Sequence, residues 1–193
     1  MGDFWRFLQV ADEELFLFLN RLGKPAYDPF WQFITEPRVW IPLYVLLLLA
    51  LLVKLKARKM VVAVVIIAAT VFATDSGSVH LLKNKVQRLR PCHQEQLQDK
   101  MRLAADHCGA RYGFVSSHAA NTFGIAVLVG SMLRPFMPLV PFILMVWASF
   151  SAYSRVYLGV HFPLDIVCGA LYGGIIGWIM FVIYRKVVLK LNL

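Results

Sequence analysis

Charge is what this chain has least of. Charged residues make up 16% of 193 positions, against 59% hydrophobic residues, and the mean hydropathy is +0.64. A soluble domain of this size needs more polar surface than that. The apolar residues also fall into runs long enough to cross hydrocarbon, which takes about 20 residues per helix. No repeat and no low-complexity segment interrupts them, and no stretch reads as a separate soluble module. Residues 1–193 therefore read as one membrane-embedded domain. The N-terminus shows no cleavable signal pattern, because Asp3, Arg6, Asp12, Glu13 and Glu14 break its apolar core and no small-residue cleavage site follows.

Acidic residues are scarce as well: 11 Asp and Glu stand against 20 Lys and Arg, a net charge of +9. In a soluble protein such an excess suggests nucleic acid. Here Lys54, Lys56, Arg58 and Lys59, and later Arg185, Lys186 and Lys190, flank apolar spans. That is the positive-inside pattern, and nucleic-acid binding is excluded in its favour. Lys83, Lys85, Arg88, Arg90, Arg102 and Arg111 are different, since they occupy the one long polar loop.

The pattern predicts an all-α integral membrane bundle. Residues 3–22 read as an amphipathic helix lying in the interface, with Asp12–Glu14 kept out of hydrocarbon. Five spans follow, at about 39–53, 60–82, 116–133, 137–157 and 163–184. The glycines of the last span (Gly169, Gly173, Gly174, Gly177) favour close helix contact. With the basic runs placed in the cytoplasm, the span count puts the loop 83–113, residue 116 and residue 161 on one extracytoplasmic face.

The unusual polar residues all collect there. Ser116 is placed to cap a helix whose free N–H groups make an anion site, with His118 in the same turn. Pro163 suits the first turn of the last span, which sets His161 just before that helix and Asp165 inside it. A carboxylate so placed accepts a hydrogen bond from one imidazole nitrogen and leaves the other as a nucleophile. Arg155 offers a fork for phosphate oxygens, and Lys83 and Arg90 add charge. Lys85, Arg88, Arg102 and Arg111 read as solvated loop charges that attract an anionic head group. Asp75 either pairs with a cation or faces water. Cys92 and Cys108 share the outer loop and are candidates for a disulfide. A zinc site with His93 and His107 is the alternative, against which the adjacency of each Cys–His pair counts.

Three motifs emerge in order: Lys83-x6-Arg90-Pro91, then Val115-Ser116-Ser117-His118, then Ser154-Arg155-x5-His161-x3-Asp165. They resemble the type 2 phosphatidic acid phosphatase superfamily, whose pattern is K-x6-R-P, P-S-G-H and S-R-x5-H-x3-D. The likeness runs from about residue 75 to 170. The second motif departs twice, with Val115 for proline and Ser117 for glycine. The first change alters only the start of the helix; the second adds a donor or crowds the phosphate. The resemblance implies a lipid phosphatase in which His161 attacks phosphorus, Asp165 orients it, and His118 protonates the leaving oxygen and then activates water. Lys83, Arg90, Ser116, Ser117 and Arg155 would hold the phosphate oxygens, with no metal or other cofactor. Small size without added domains looks bacterial, which implies the inner membrane. Family members of this build act on undecaprenyl diphosphate, phosphatidylglycerophosphate, phosphatidic acid or lipid A, and the first two are the expectation here. A lipid transporter or flippase, a haloperoxidase of the vanadium type and a non-catalytic membrane protein are the competing readings. The first lacks broken-helix pairs, the second is a soluble class, and the third leaves the motifs unexplained.

Overall fold

The computed structural model describes residues 2–192. Every regular element among them is helical, as the pattern predicts. Helix α1 (Gly2–Arg21) is followed by α2 (Asp28–Thr35), α3 (Ile41–Lys54), α4 (Ala57–Gly77), the single turn α5 (Asn84–Val86), α6 (Ser117–Leu133), α7 (Val140–Tyr157) and α8 (Pro163–Lys190). Between α4 and α5 the chain stays helical but is π-wound over Ser78–Lys83. The basic run straddles the α3–α4 junction, with Lys54 ending α3, Lys56 just before α4, and Arg58 and Lys59 in the first turn of α4. Helix α8 continues to Lys190, past the expected end at 184.

Three stretches are long and apolar enough to cross a membrane: Pro37–Lys54, Ala57–Val86 and Pro163–Lys190. Helix α6 is apolar but has 17 residues, and α7 is diluted by Ser149, Ser151, Ser154 and Arg155. The difference has a packing cause. Most of α6 is buried by its neighbours, so its surface is solvated by protein and need not match lipid.

The seam between α6 and α8 is the tightest in the bundle. A methyl group at Gly173 would sit on the Ala120 carbonyl, and one at Gly177 would lie 2.5 Å from the Gly124 carbonyl oxygen. Small residues thus let two backbones touch, as expected for helices without a hydrophobic drive to associate. Gly174 lies outside this seam, with only Val127 near it. At one end of the bundle, Leu47 and Leu51 of α3, Ile66 of α4, Leu128 and Leu133 of α6, and Trp147 of α7 share one apolar core.

Helix α1, expected as an amphipathic helix of the interface, packs its inner face against the bundle. Asp12, Phe16 and Asn20, spaced one helical turn apart, are all buried. Phe16 packs edge-on against Phe162. The Asn20 amide donates to the carbonyls of Arg102 and Tyr157 at 3.0 Å each and accepts from the Arg102 N–H at 2.7 Å. Facing inward, Asp12 escapes water by finding partners described below. Glu14, on the other side, stays exposed.

Candidate functional site

The end of α4–α5, the start of α6, the end of α7 and the start of α8 meet at one end of the bundle. The long loop is folded against them. Cys92 and Cys108 form a disulfide with Cα atoms 6.0 Å apart, so neither sulfur serves as a metal ligand. Leu89 and Tyr112 pair as an isolated antiparallel bridge, and the Gly113 N–H donates to the Arg88 carbonyl at 2.8 Å. These ties lay the first motif beside the second. The Ser116 N–H then donates to the Asp165 carbonyl at 3.0 Å, which joins the second motif to the third.

His161 lies in the short turn between α7 and α8 and is 2% exposed. Its Nδ1 is 3.3 Å from Asp165 Oδ2. The same carboxylate oxygen accepts the Phe162 N–H at 3.1 Å, capping α8. Nε2 has no hydrogen-bond partner among the described residues. Burial, and then Arg90, Arg155, Lys83 and Arg88, hold the imidazole well below its usual titration range. A neutral ring with Nδ1 turned to a carboxylate presents the Nε2 lone pair on its far side.

The cations around it are held by neutral oxygens. Lys83 Nζ donates to Ser117 Oγ at 2.8 Å, and Ser117 Oγ lies 2.6 Å from Ser78 Oγ. The side chain substituted for glycine thus grips the lysine. Arg90 is buried and donates to the carbonyls of Cys108 at 3.1 Å and Tyr112 at 3.4 Å; burial pulls its pKa down. Arg155 donates through one Nη to Thr35 Oγ1 at 2.8 Å, and its Nε is buried without a partner. None of the three forms an ion pair among the described residues. Ser116 caps α6, accepting the Ala119 N–H at 3.3 Å.

His118 stands in the first turn of α6, within electrostatic reach of Arg155 and His161. Its Nε2 lies 2.8 Å from Ser151 Oγ. Ser151 was not expected in the site, although it sits one turn before Arg155 on the same face of α7. His118 and Ser151 also close one end of an apolar cavity of about 360 Å³, whose walls include Trp40, Tyr44, Leu47 and Ile67. Gly113 is a second unforeseen member. A methyl group there would lie 2.9 Å from Asp165 Oδ2 and 3.5 Å from His161 Nδ1, so only glycine fits beside the pair.

Two loop charges need correction. Arg88 is no solvated lure: it donates to Asp165 Oδ1 at 3.0 Å and to Asp12 Oδ2 at 2.6 Å, with its side chain 14% exposed. Arg102 donates to both oxygens of Asp28 at 2.6 Å and lies over the Tyr157 ring. Arg88 is drawn inward because the buried carboxylates of Asp12 and Asp165 need a cation, whereas Asp28, the partner of Arg102, is only partly buried. Lys85 and Arg111 are exposed as expected. Asp75 forms no ion pair among the described residues; it accepts from Asn121 Nδ2 at 3.4 Å.

A helical bundle carrying two histidines, a carboxylate and three cations without a direct ion pair among the described residues at one end defines a class. A model of the PAP2 superfamily matches residues 39–189, and the chain belongs to that superfamily. It is 34% identical over 187 residues to a lipid A 4'-phosphatase of Bacteroides thetaiotaomicron, covering 96% of this chain and 82% of that one. It is 27% identical over 180 residues to a lipid A 4'-phosphatase of Porphyromonas gingivalis, covering 92% and 75%. Among solved structures, Aquifex aeolicus LpxE superposes with a TM-score of 0.61 at 28% identity, covering 86% of this chain and 92% of that one. The first transmembrane PAP2 type phosphatidylglycerolphosphate phosphatase from Bacillus subtilis superposes with a TM-score of 0.69 at 21% identity, covering 93% and 87%, and shares the fold. The chain is a membrane phosphatase of the PAP2 type.

Proposed function

We propose that this protein removes a phosphate from a lipid A-type glycolipid through a phosphohistidine, working as one unit at the extracytoplasmic face of a bacterial inner membrane. One observation carries the reading: Lys83, Arg90 and Arg155 surround a buried neutral imidazole and are gripped by hydroxyls and carbonyls rather than acids. Their charge is left for an anion. In this reading His161 Nε2 attacks phosphorus in line with the ester oxygen. The N–P bond forms as the P–O bond breaks, and His118 gives its proton to the departing oxygen. Asp165 stabilises the imidazolium through Nδ1. His118 then takes a proton from water, whose oxygen displaces the histidine and releases phosphate. Charge on the equatorial oxygens is met by the three cations with Ser116 and Ser117.

The choice of lipid A over the expected undecaprenyl diphosphate and phosphatidylglycerophosphate rests on the names of the relatives. The apolar cavity ending at His118 supports a lipid, since it would take a hydrocarbon chain next to the proton donor. Charge supports this side of the membrane. Lys59, Arg134 and Arg185 line one cavity at the far end of the bundle, as the positive-inside rule expects of a cytoplasmic end.

Phosphate release in detergent, without added metal, across lipid A, undecaprenyl diphosphate, phosphatidylglycerophosphate and phosphatidic acid tests this. Lipid A is expected to be turned over fastest. Faster turnover of another member overturns the substrate, and strict magnesium dependence overturns the assignment of charge neutralisation to the three cations.

A further inference from the structure

The site reading leaves one buried charge unused. Asp12 sits on α1, outside the region matched by the family model. It is 7% exposed, and burial raises its pKa against the pull of Arg88. Each of its oxygens is engaged. Oδ2 takes Arg88 Nη2 at 2.6 Å, and Oδ1 takes the Leu164 N–H, in the first turn of α8, at 2.8 Å. Arg88 reaches on through Nη1 to Asp165 Oδ1 at 3.0 Å. Its guanidinium carbon lies 4.0 Å from the Phe162 ring centroid, so ring and carboxylates together fix its plane. Asp165 Oδ2 is then left to His161 Nδ1 and the Phe162 N–H.

We propose that Asp12 is a positioning residue for the His161–Asp165 pair, acting through Arg88; the proposal rests on the phosphohistidine reading above. A lone arginine beside Asp165 would be free to rotate or to engage both carboxylate oxygens, competing with the imidazole. The second carboxylate holds the guanidinium in one orientation, so that it binds only Oδ1. The N–H of Leu164 ties this arrangement to the helix that carries Asp165. The N-terminal helix thereby takes part in setting the His161–Asp165 geometry.

The alternative is that Asp12 only anchors α1. Steady-state kinetics on lipid A separate the two. Asp12→Asn is expected to lower kcat about tenfold with KM changed less than about twofold, and Asp12→Glu to recover most of the loss. In an Asp165→Asn background the same Asp12→Asn change is expected to alter kcat less than about twofold, because its route to His161 is already cut. Asn20→Ala, which loosens α1 at a different buried contact, is expected to lower the Tm in detergent while keeping kcat.

Additive losses in the double variant, a kcat loss in Asn20→Ala equal to that in Asp12→Asn, or unchanged kcat in folded Asp12→Asn each overturn the proposal. If Asp12→Asn does not fold, Arg88→Lys replaces it, since one ammonium cannot span both carboxylates in the same plane. The same tenfold, non-additive loss is expected there, and a wild-type kcat refutes the inference. An Asp165→Asn variant with wild-type activity would instead sink the site reading itself.

Discussion

Both ends of the bundle are basic, but they hold their charge differently. At one end Lys54, Lys56, Arg58, Arg134, Arg185 and Lys186 are exposed, and none has an acidic partner among the described residues. At the other end the cations divide into two sets. Arg88 and Arg102 are neutralised by Asp12, Asp165 and Asp28. Lys83, Arg90 and Arg155 are fixed by uncharged oxygens. A cation at the exposed end costs little because water screens it. A cation withdrawn from water without a direct ion pair is expensive, and among the described residues the bundle retains three of them around one imidazole. Charge count therefore says little about function; the nature of each cation's partner says a great deal.

That contrast can be broken experimentally. The largest effect is expected at the imidazoles the cations surround. His161→Ala should abolish phosphate release, and His118→Ala should cut it by about 10²- to 10⁴-fold, with the Tm in detergent retained in both. Activity in folded His161→Ala would rule out the covalent route. Next, Arg155→Ala should lower kcat/KM by about 10²-fold or more, whereas Arg185→Ala at the opposite end should leave it within about twofold. Equal losses in the two variants would erase the distinction between the ends. The smallest effect is on pH. The proposed attack needs a neutral His161, and burial with four nearby cations holds its pKa well below the usual value. The acidic limb of kcat/KM should then lie below the ordinary histidine value of about 6.5. Replacing Arg90 by Gln removes a positive neighbour, so the limb of the residual activity should move to higher pH. A limb that stays put, or moves lower, would mean that another group controls it.

Much of this was legible in the residues. The apolar runs gave the starts of the last three spans to within about three residues, while the end of α8 at Lys190 and the short α2 were not foreseen. The three motifs singled out His118, His161, Asp165 and the cations by spacing alone, and the fold brings them to one end of the bundle. Arg88 was misread for an instructive reason. Nothing local distinguishes it from Lys85 or Arg111, and its role depends on Asp12, 76 residues away. A faint signal did exist in α1: Asp12 and Asn20 bracket Phe16 at intervals of four, a polar-apolar-polar stripe that makes sense only if it faces protein. Ser151 was missed because one serine among several on α7 is unremarked until His118 is seen against it. Gly113 was missed because its value lies in the space it leaves.

The glycine seam between α6 and α8 has a mechanical consequence. His118 rides on the first of these helices, and His161 directly precedes the second. With the two backbones in contact at Ala120–Gly173 and Gly124–Gly177, the pair behaves as a single stiff plank in the bilayer. Lipid thickness, tilt or lateral pressure can bend the outer helices around it while the gap between the two imidazoles stays set.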